Sequence, residues 1–332
     1  MTNFNSENSP SEFELIAKYF APLASDARGA YGLTDDAATI EVGPGEEIIV
    51  TADLLSAGVH FLRDDPPDQI ARKALRVNLS DLAAKGAKPS AYLLSLALPR
   101  NNDAPWLGEF AKGLREDQTK FDISLIGGDT TATNGPLTIA ITAFGVLPKG
   151  AMIRRNGARA GDLVFVSGTL GDAGLGLSIL KKNLNSLDTR DQDFAVMRYR
   201  MPEPRLALGL RLRGIASAAL DVSDGLIADL GHIASISRAR IVIDATRIPL
   251  SAAFLASRKR DQSAILDAVT AGDDYEIAFT APAGRRDAVL KAASDAETRV
   301  TEIGRVETGE GVLLLDAGGH EVRVPRAGYT HF

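Results

Sequence analysis

Residues 65–99, DPPDQIARKALRVNLSDLAAKGAKPSAYLLSLALP, read as one helix followed by one strand. Asp65-Pro66-Pro67-Asp68 opens the helix: proline is tolerated in a first turn, and a carboxylate there meets the positive end of the helix dipole. Gly86, with Pro89 beyond it, closes the helix. Between these signals Ile70, Ala74, Val77 and Asp81 recur at helical spacing and share one face. The apolar run at 92–98 is short enough for a buried strand.

The same alternation extends in both directions. Upstream, Phe13, Ile16, Ala17 and Phe20 mark a helix over 12–20, and residues 1–11 are polar and expected to be disordered. A loop ending in Thr34-Asp35-Asp36 leads to strands near 38–42 and 48–52, parted by Gly43-Pro44-Gly45. Downstream, a helix near 106–115 and strands at 123–126 and 137–146 complete a first block, with Pro148-Lys149-Gly150 as the boundary. A second block follows, with strands at 163–167, 219–222, 241–244, 275–280, 300–306 and 312–315. Its helices are expected at 173–182, 194–200, 205–213, 226–236 and from Gly284. Such alternation predicts α/β or α+β architecture with mixed sheets and two domains, 12–148 and 149–332.

Composition narrows the function. The 332 residues carry 37 Lys+Arg, 43 Asp+Glu, four His and no Cys, for a net charge of −6. Disulfides, thiolate metal sites and cysteine nucleophiles are excluded. The charge disfavours nucleic acid or an anionic membrane as a general partner. The polar start lacks signal-peptide order, and no apolar run approaches the ~20 residues that span a bilayer. A cytoplasmic protein is expected.

Aspartates carry the chemistry. IIVTAD ends in Asp53, ISLIGGD in Asp129, and AALDVSD holds Asp221 and Asp224. Strand ends are where α/β proteins build ligand sites. One such Asp is more often a turn or a helix cap, as Asp224 before Gly225-Leu226 could be. Three such strand ends weaken that explanation for the set. Asp81, on an apolar stripe, is costly unless it pairs with Lys73 or Lys85 or meets a cation; both remain open here. Asp35, Asp36, Asp53, Asp81, Asp129, Asp221 and Asp224 together form a pool of hard oxygen ligands suited to Mg²⁺ or Ca²⁺. No G-x-x-x-x-G-K-[ST] is present, which excludes a P-loop kinase. Gly127-Gly128-Asp129 instead lets backbone approach a phosphate while the Asp holds its metal. The 168–174 turn is a weaker phosphate signal. Lys73, Arg154 and Arg155 could meet phosphate, and His60 could contact a substrate or be structural.

EFELIAKYFAP, TDDAA, TADLLSAGVHF, KALRVNLSDLAAKGAKP, LIGGDTT, RNGARAGD, SGTLGDAGLGL, DVSDGLIADLGHI and GDDYEIAFT follow one another in an order that resembles the thiamine-monophosphate kinase family. NLSDLAA with DVSDGL resembles the wider superfamily of aminoimidazole ribonucleotide synthetase-like enzymes. The resemblance spans nearly the whole chain. It implies a two-domain fold of that superfamily and ATP-dependent conversion of thiamine monophosphate to thiamine diphosphate. It also implies a homodimer joined through the N-terminal sheets, with ATP and several Mg²⁺ ions between the domains. Carried over, Asp36, Thr51, Ala52 (by its carbonyl), Asp53, Asp81, Asp129, Asp221 and Asp224 would ligate metal. Gly128, Asp129, Arg155 and Ser223 would bind ATP, and His60, Asp273 and Phe332 the thiamine substrate. Thr34, Ala52 and Ala271 depart from the family's usual Gly, Thr and Gly.

The implied nucleophile is a phosphate oxygen already ionised at neutral pH, so no general base is expected, and metals that cancel charge would do most of the work. Among related enzymes, the absence of a reactive N-terminal cysteine disfavours a selenophosphate synthetase. Phe332 in place of a terminal cysteine disfavours the hydrogenase-maturation relative. An aminoimidazole ribonucleotide synthetase-like enzyme and a non-catalytic nucleotide- or Ca²⁺-binding protein are the alternatives.

Overall fold

The computed structural model describes residues 12–33, 38, 40–99, 104–181, 187–258 and 262–329. They form two compact units. Among the described residues the first comprises those up to Gly43, with Val50–Leu75 and Pro89–Phe144; the second comprises Pro44–Ile49, Arg76–Lys88 and Gly145 onward.

In the first unit, α1 (Glu12–Leu15) runs on as a π-helical turn, Ile16–Phe20. The strand expected over 38–42 is not formed at residues 38 and 40–42. Ala38 and Ile40 pack instead against a small core of Ala24, Ala30, Ala91 and Ile126, so burial displaces strand pairing there. Next come β1 (Glu46–Ser56), α2 (Pro67–Ala84), β2 (Lys88–Pro99), α3 (Ala104–Phe121), β3 (Ser124–Thr133) and β4 (Thr138–Pro148), of which residues 46–49, 76–84, 88 and 145–148 belong to the second unit. The sheet order is β1-β4-β2-β3, which makes β1 and β3 its two edges. An ion pair between Arg72 Nε and the buried Asp117 Oδ1, 3.0 Å long, ties α2 to α3.

The second unit is built on a six-stranded mixed sheet, β10-β7-β9-β5-β8-β6. Its strands are β5 (Asp162–Ser167), β6 (Ala218–Asp221), β7 (Arg240–Asp244), β8 (Ile277–Pro282), β9 (Val300–Glu307) and β10 (Gly311–Leu315). Its helices are α4 (Asp172–Leu180), α5 (Thr189–Arg200), α6 (Leu206–Leu212), α7 (Leu226–Ser237), α8 (Ala252–Ser257), α9 (Gln262–Thr270) and α10 (Arg286–Asp295). Only β10 and β7 pair in parallel; β5-β8, β5-β9, β6-β8 and β7-β9 are antiparallel.

Alternation within β5 shows how this sheet is buried on both faces. Val164 and Val166 join a core with Leu230 and Ile233 of α7, while Phe165 joins another with Leu208 and Leu212 of α6 and Val289 of α10. Phe165 stacks on Phe279 of β8 with ring centroids 5.2 Å apart. Removing either ring would cost about 3–5 kcal/mol. Two-sided burial explains why these strands read as continuous apolar runs rather than as alternating ones.

Candidate active site

In the first unit, Thr51, Ala52 and Asp53 lie in the middle of β1, and Gly128 and Asp129 in the middle of β3. The sequence places both aspartates at strand ends, and the structure corrects this. β3 stays paired with β2 past Asp129, as far as Thr133 opposite Pro99, and it carries an irregularity upstream: Tyr92 faces Leu125 but Leu93 faces Gly127, so Ile126 is an extra residue on its strand. Such a bulge re-aims the residues after it. Gly128 has φ 153°, and a Cβ there would overlap the Leu94 carbonyl oxygen, so only glycine fits. Asp129 emerges exposed, opposite Ser95. It lines, with Gly127, Gly128, Leu93, Phe20 and Phe144, a cavity of about 590 Å³.

His60 sits in the turn after β1. Its Nδ1 accepts the Ser56 N–H at 3.0 Å, which places the proton of the neutral ring on Nε2. Its carbonyl accepts Lys73 Nζ at 2.9 Å. Lys73 is 1% exposed, so it supports the His60 turn and is removed from the surface cations that could meet phosphate.

In the second unit, Asp81 lies in the last turn of α2, four residues before Lys85, which follows the helix, and Asp221, 6% exposed, ends β6. Lys85 Nζ donates to the Ala219 carbonyl at 2.8 Å. Burial, with the Arg155 charge, brings the Lys85 ammonium down to about 8, against the pull of Asp221 and Asp81. Charges from three separate segments therefore meet around one lysine. Arg155 itself is exposed, with its carbonyl accepting Ser237 Oγ at 3.0 Å.

The 221–225 turn, which carries Ser223 and Asp224, is laced from several sides. The Asp273 N–H donates to the Ser223 carbonyl and the Tyr275 N–H to that of Val222, each at 2.8 Å. The Tyr329 N–H donates to the Asp224 carbonyl at 2.9 Å. Asp229 Oδ2 accepts the N–H groups of Asp224 and Gly225, both at 3.1 Å. Burial, with the Asp224 charge, pushes the Asp229 carboxyl up to about 7. At the departure from the family pattern, the Ala271 N–H bonds to the Asp267 carbonyl at 3.0 Å and ends α9. Gly272 is the position that tolerates no side chain, since its Cβ would lie 2.6 Å from the Ser223 carbonyl oxygen.

Beneath this loop is a buried charge network that the sequence reading missed. Glu276 accepts from Arg198, Arg205 and Ser167. Burial works to raise its pKa, but the Arg205 and Arg198 guanidiniums hold it below the usual range. Asp172 accepts from Thr169 and Ser251. The one available signal was GDDYE itself, three acids just before an apolar strand.

Of the expected site residues and candidate ligands, Asp35, Asp36 and Phe332, and Thr34 with them, lie outside the described residues. Among the described residues no three His, Asp or Glu side chains converge on one point as a cation cage. The donors nonetheless suit a hard cation. Each is a carboxylate, hydroxyl or carbonyl oxygen, and Mg²⁺ commonly takes only one or two carboxylates and completes its shell with phosphate and water.

Known proteins resemble the chain over nearly its whole length. Residues 34–147 match the family described as AIR synthase related protein, N-terminal domain, and 159–315 match its C-terminal domain. The thiamine-monophosphate kinase of Caulobacter vibrioides is 43% identical over 97% of this chain and 91% of its own length. That of Escherichia coli K12 is 39% identical over 97% and 98%. The structure of thiamine-monophosphate kinase from Stenotrophomonas maltophilia K279a superposes with TM-score 0.80 at 42% identity, covering 87% of this chain and 91% of that one. AaThiL complexed with AMPPCP and TMP gives 0.77 at 33% identity, with 97% of each chain covered. The chain belongs to the AIR synthase related family and, within it, to the thiamine-monophosphate kinases.

Proposed function

We propose that the chain transfers the γ-phosphoryl group of ATP to the phosphate of thiamine monophosphate, giving thiamine diphosphate and ADP. The observation that carries this reading is its likeness, over 97% of both chains, to AaThiL, whose complex holds AMPPCP and TMP. Asp36, Thr51, the Ala52 carbonyl, Asp53, Asp81, Asp129, Asp221 and Asp224 would hold Mg²⁺. When bound, Mg²⁺ cancels phosphate charge and helps align an in-line transfer. Gly128 offers backbone unscreened by a side chain, Arg155 an exposed guanidinium and Ser223 a hydroxyl to the ATP phosphates. Asp129 takes part in the same contact. His60, whose Nε2–H can donate, Asp273 and Phe332 would hold the thiamine substrate. No side chain needs to remove a proton, because the accepting phosphate oxygen is already ionised.

The domains we assign are 12–148 and 149–332, and the assembly is a homodimer formed through β1. The bare apolar row on β1 supports that face: Ile48, Val50 and Leu54 are all exposed. A cytoplasmic setting fits a cysteine-free chain in which no described helix is long and apolar enough to cross a membrane. The test is a coupled assay of thiamine diphosphate formation by the purified chain with Mg²⁺ and ATP. ATP turnover that ignores thiamine monophosphate would point to a sister enzyme, and none at all to a binding protein.

A further inference from the structure

The 272–276 loop alternates in direction. Asp274 and Glu276 are fully buried, whereas Asp273 and Tyr275 are half-exposed. The two outward residues both have left-handed backbones, with φ 69° at Asp273 and 50° at Tyr275. Residues with a Cβ disfavour that region and stay there only when their surroundings dictate it. The N–H groups of both are held by the Ser223 and Val222 carbonyls, and the buried residue between them is anchored on another element. Asp274 Oδ2 accepts the Gly171 N–H at 2.6 Å and Oδ1 accepts the Ala173 N–H at 3.2 Å, at the start of α4. Arg198 Nη2 reaches both the Asp274 carbonyl, at 3.1 Å, and Glu276 Oε1, at 2.8 Å.

We propose that Asp274 is a positioning residue for the phosphate acceptor: clamped on the Gly171 and Ala173 amides, it holds Asp273 left-handed and so presents the Asp273 carboxylate to the thiamine substrate. This rests on the assignment of Asp273 to thiamine monophosphate made above. Asp274 touches neither substrate in this scheme. It acts through the backbone that it shares with Asp273.

Steady-state kinetics of the full chain test this with Asp274→Asn, Asp273→Asn and the double variant. Asparagine keeps the shape but turns an amide NH₂, a donor, toward one of the two backbone N–H groups, which breaks the clamp. Asp274→Asn is expected to raise KM for thiamine monophosphate about tenfold and to leave kcat and KM for ATP within about twofold. The double variant should be no worse than Asp273→Asn alone, because both changes remove one interaction. Effects that multiply in the double variant overturn the proposal and leave the Asp273 assignment standing, as does an equal loss in KM for ATP or in kcat. A wild-type KM for Asp273→Asn overturns the assignment and the proposal together. If circular dichroism shows Asp274→Asn unfolded, Asp274→Glu replaces it, since the longer side chain keeps the acceptor oxygens but displaces them from the Gly171 and Ala173 amides. The same selective rise in KM is expected, and an unchanged KM is the overturning result.

Discussion

Lys85 Nζ donates to the backbone carbonyl of Ala219 at 2.8 Å, which fastens the end of α2 to the strand that ends in Asp221. Both lysines that could neutralise Asp81 thus spend a hydrogen bond on backbone: Lys73 on His60 and Lys85 on Ala219. Lys85 still sits in the fields of Asp81 and Asp221.

The first prediction follows for Asp81→Asn. Lys85 keeps the Ala219 carbonyl and the Asp221 charge, so it is not stranded when Asp81 is neutralised. Metal-free stability should change by no more than about 1 kcal/mol, the scale of a partly exposed pair. A committed buried ion pair would instead cost about 3–5 kcal/mol. The stabilisation gained from Mg²⁺ with ATP should shrink in the variant, because a ligand stabilises only by binding the native state. Melting curves with and without Mg·ATP decide it. A large loss in the metal-free protein would make Asp81 a structural residue.

Asp129→Asn tests the phosphate end. Asp129 is exposed on β3 and follows two glycines, so its loss removes little packing. The melting temperature without ligands should stay within about 2 °C of wild type. Activity should fall by at least about two orders of magnitude, as expected when one carboxylate of a catalytic cation is lost. A fully active variant, or wild-type turnover in EDTA, would remove the metal role.

Strong periodicity made most of the fold legible from sequence. The helix over 67–84 and the six strands of the second unit follow from capping signals and apolar runs alone. The misreadings share a cause. An aspartate after an apolar run reads as the end of the strand, yet the edge strands β1 and β3 run on through Asp53 and Asp129 to Ser56 and Thr133. The short α8 and α9 flank a polar stretch and present too few turns to show a period. Glu276 and its arginine partners were invisible for another reason: Arg198 and Arg205 are 78 and 71 residues away in sequence. Only the tertiary fold makes them neighbours.

The buried network predicts a pH effect. Asp172, Asp274 and Glu276 face two guanidiniums, so one proton would balance the charge. Burial, with the Asp172 charge, pushes the Asp274 carboxyl up from 3.8 to about 8. In the unfolded chain that carboxyl ionises near its ordinary value, so between about pH 4 and 8 the native state holds a proton the unfolded state has released. The stability this contributes is complete below about pH 4 and is lost as pH rises toward 8, at no more than about 1.4 kcal/mol per pH unit. Asp274→Asn cannot lose a proton. Its deficit relative to wild type should therefore narrow between pH 5 and 8 in paired melting curves. A deficit that widens with pH would mean Asp274 is ionised in the native protein.

The last prediction comes from the order of the four-stranded sheet. Asp53 is on β1 and Asp129 on β3, and these are opposite edges, three strand spacings or about 14 Å apart. One cation cannot touch both within a single sheet. A second copy related by a two-fold axis would solve this if its β1 joined this β3, closing eight strands and bringing the partner's Asp53 beside Asp129. The exposed row on β1 suits such a role, with Val50 56% and Leu54 62% accessible. Light scattering should then report about twice the 35.2 kDa chain mass. Mixing inactive Asp53→Asn with inactive Asp129→Asn is the sharper measurement. Half the dimers formed after subunit exchange are mixed, and each mixed dimer has one site with both aspartates intact, so about a quarter of wild-type activity should return. Sites built within one protomer would stay silent at every mixing ratio, and that silence, in a mixture shown to exchange subunits, would rule out the shared site.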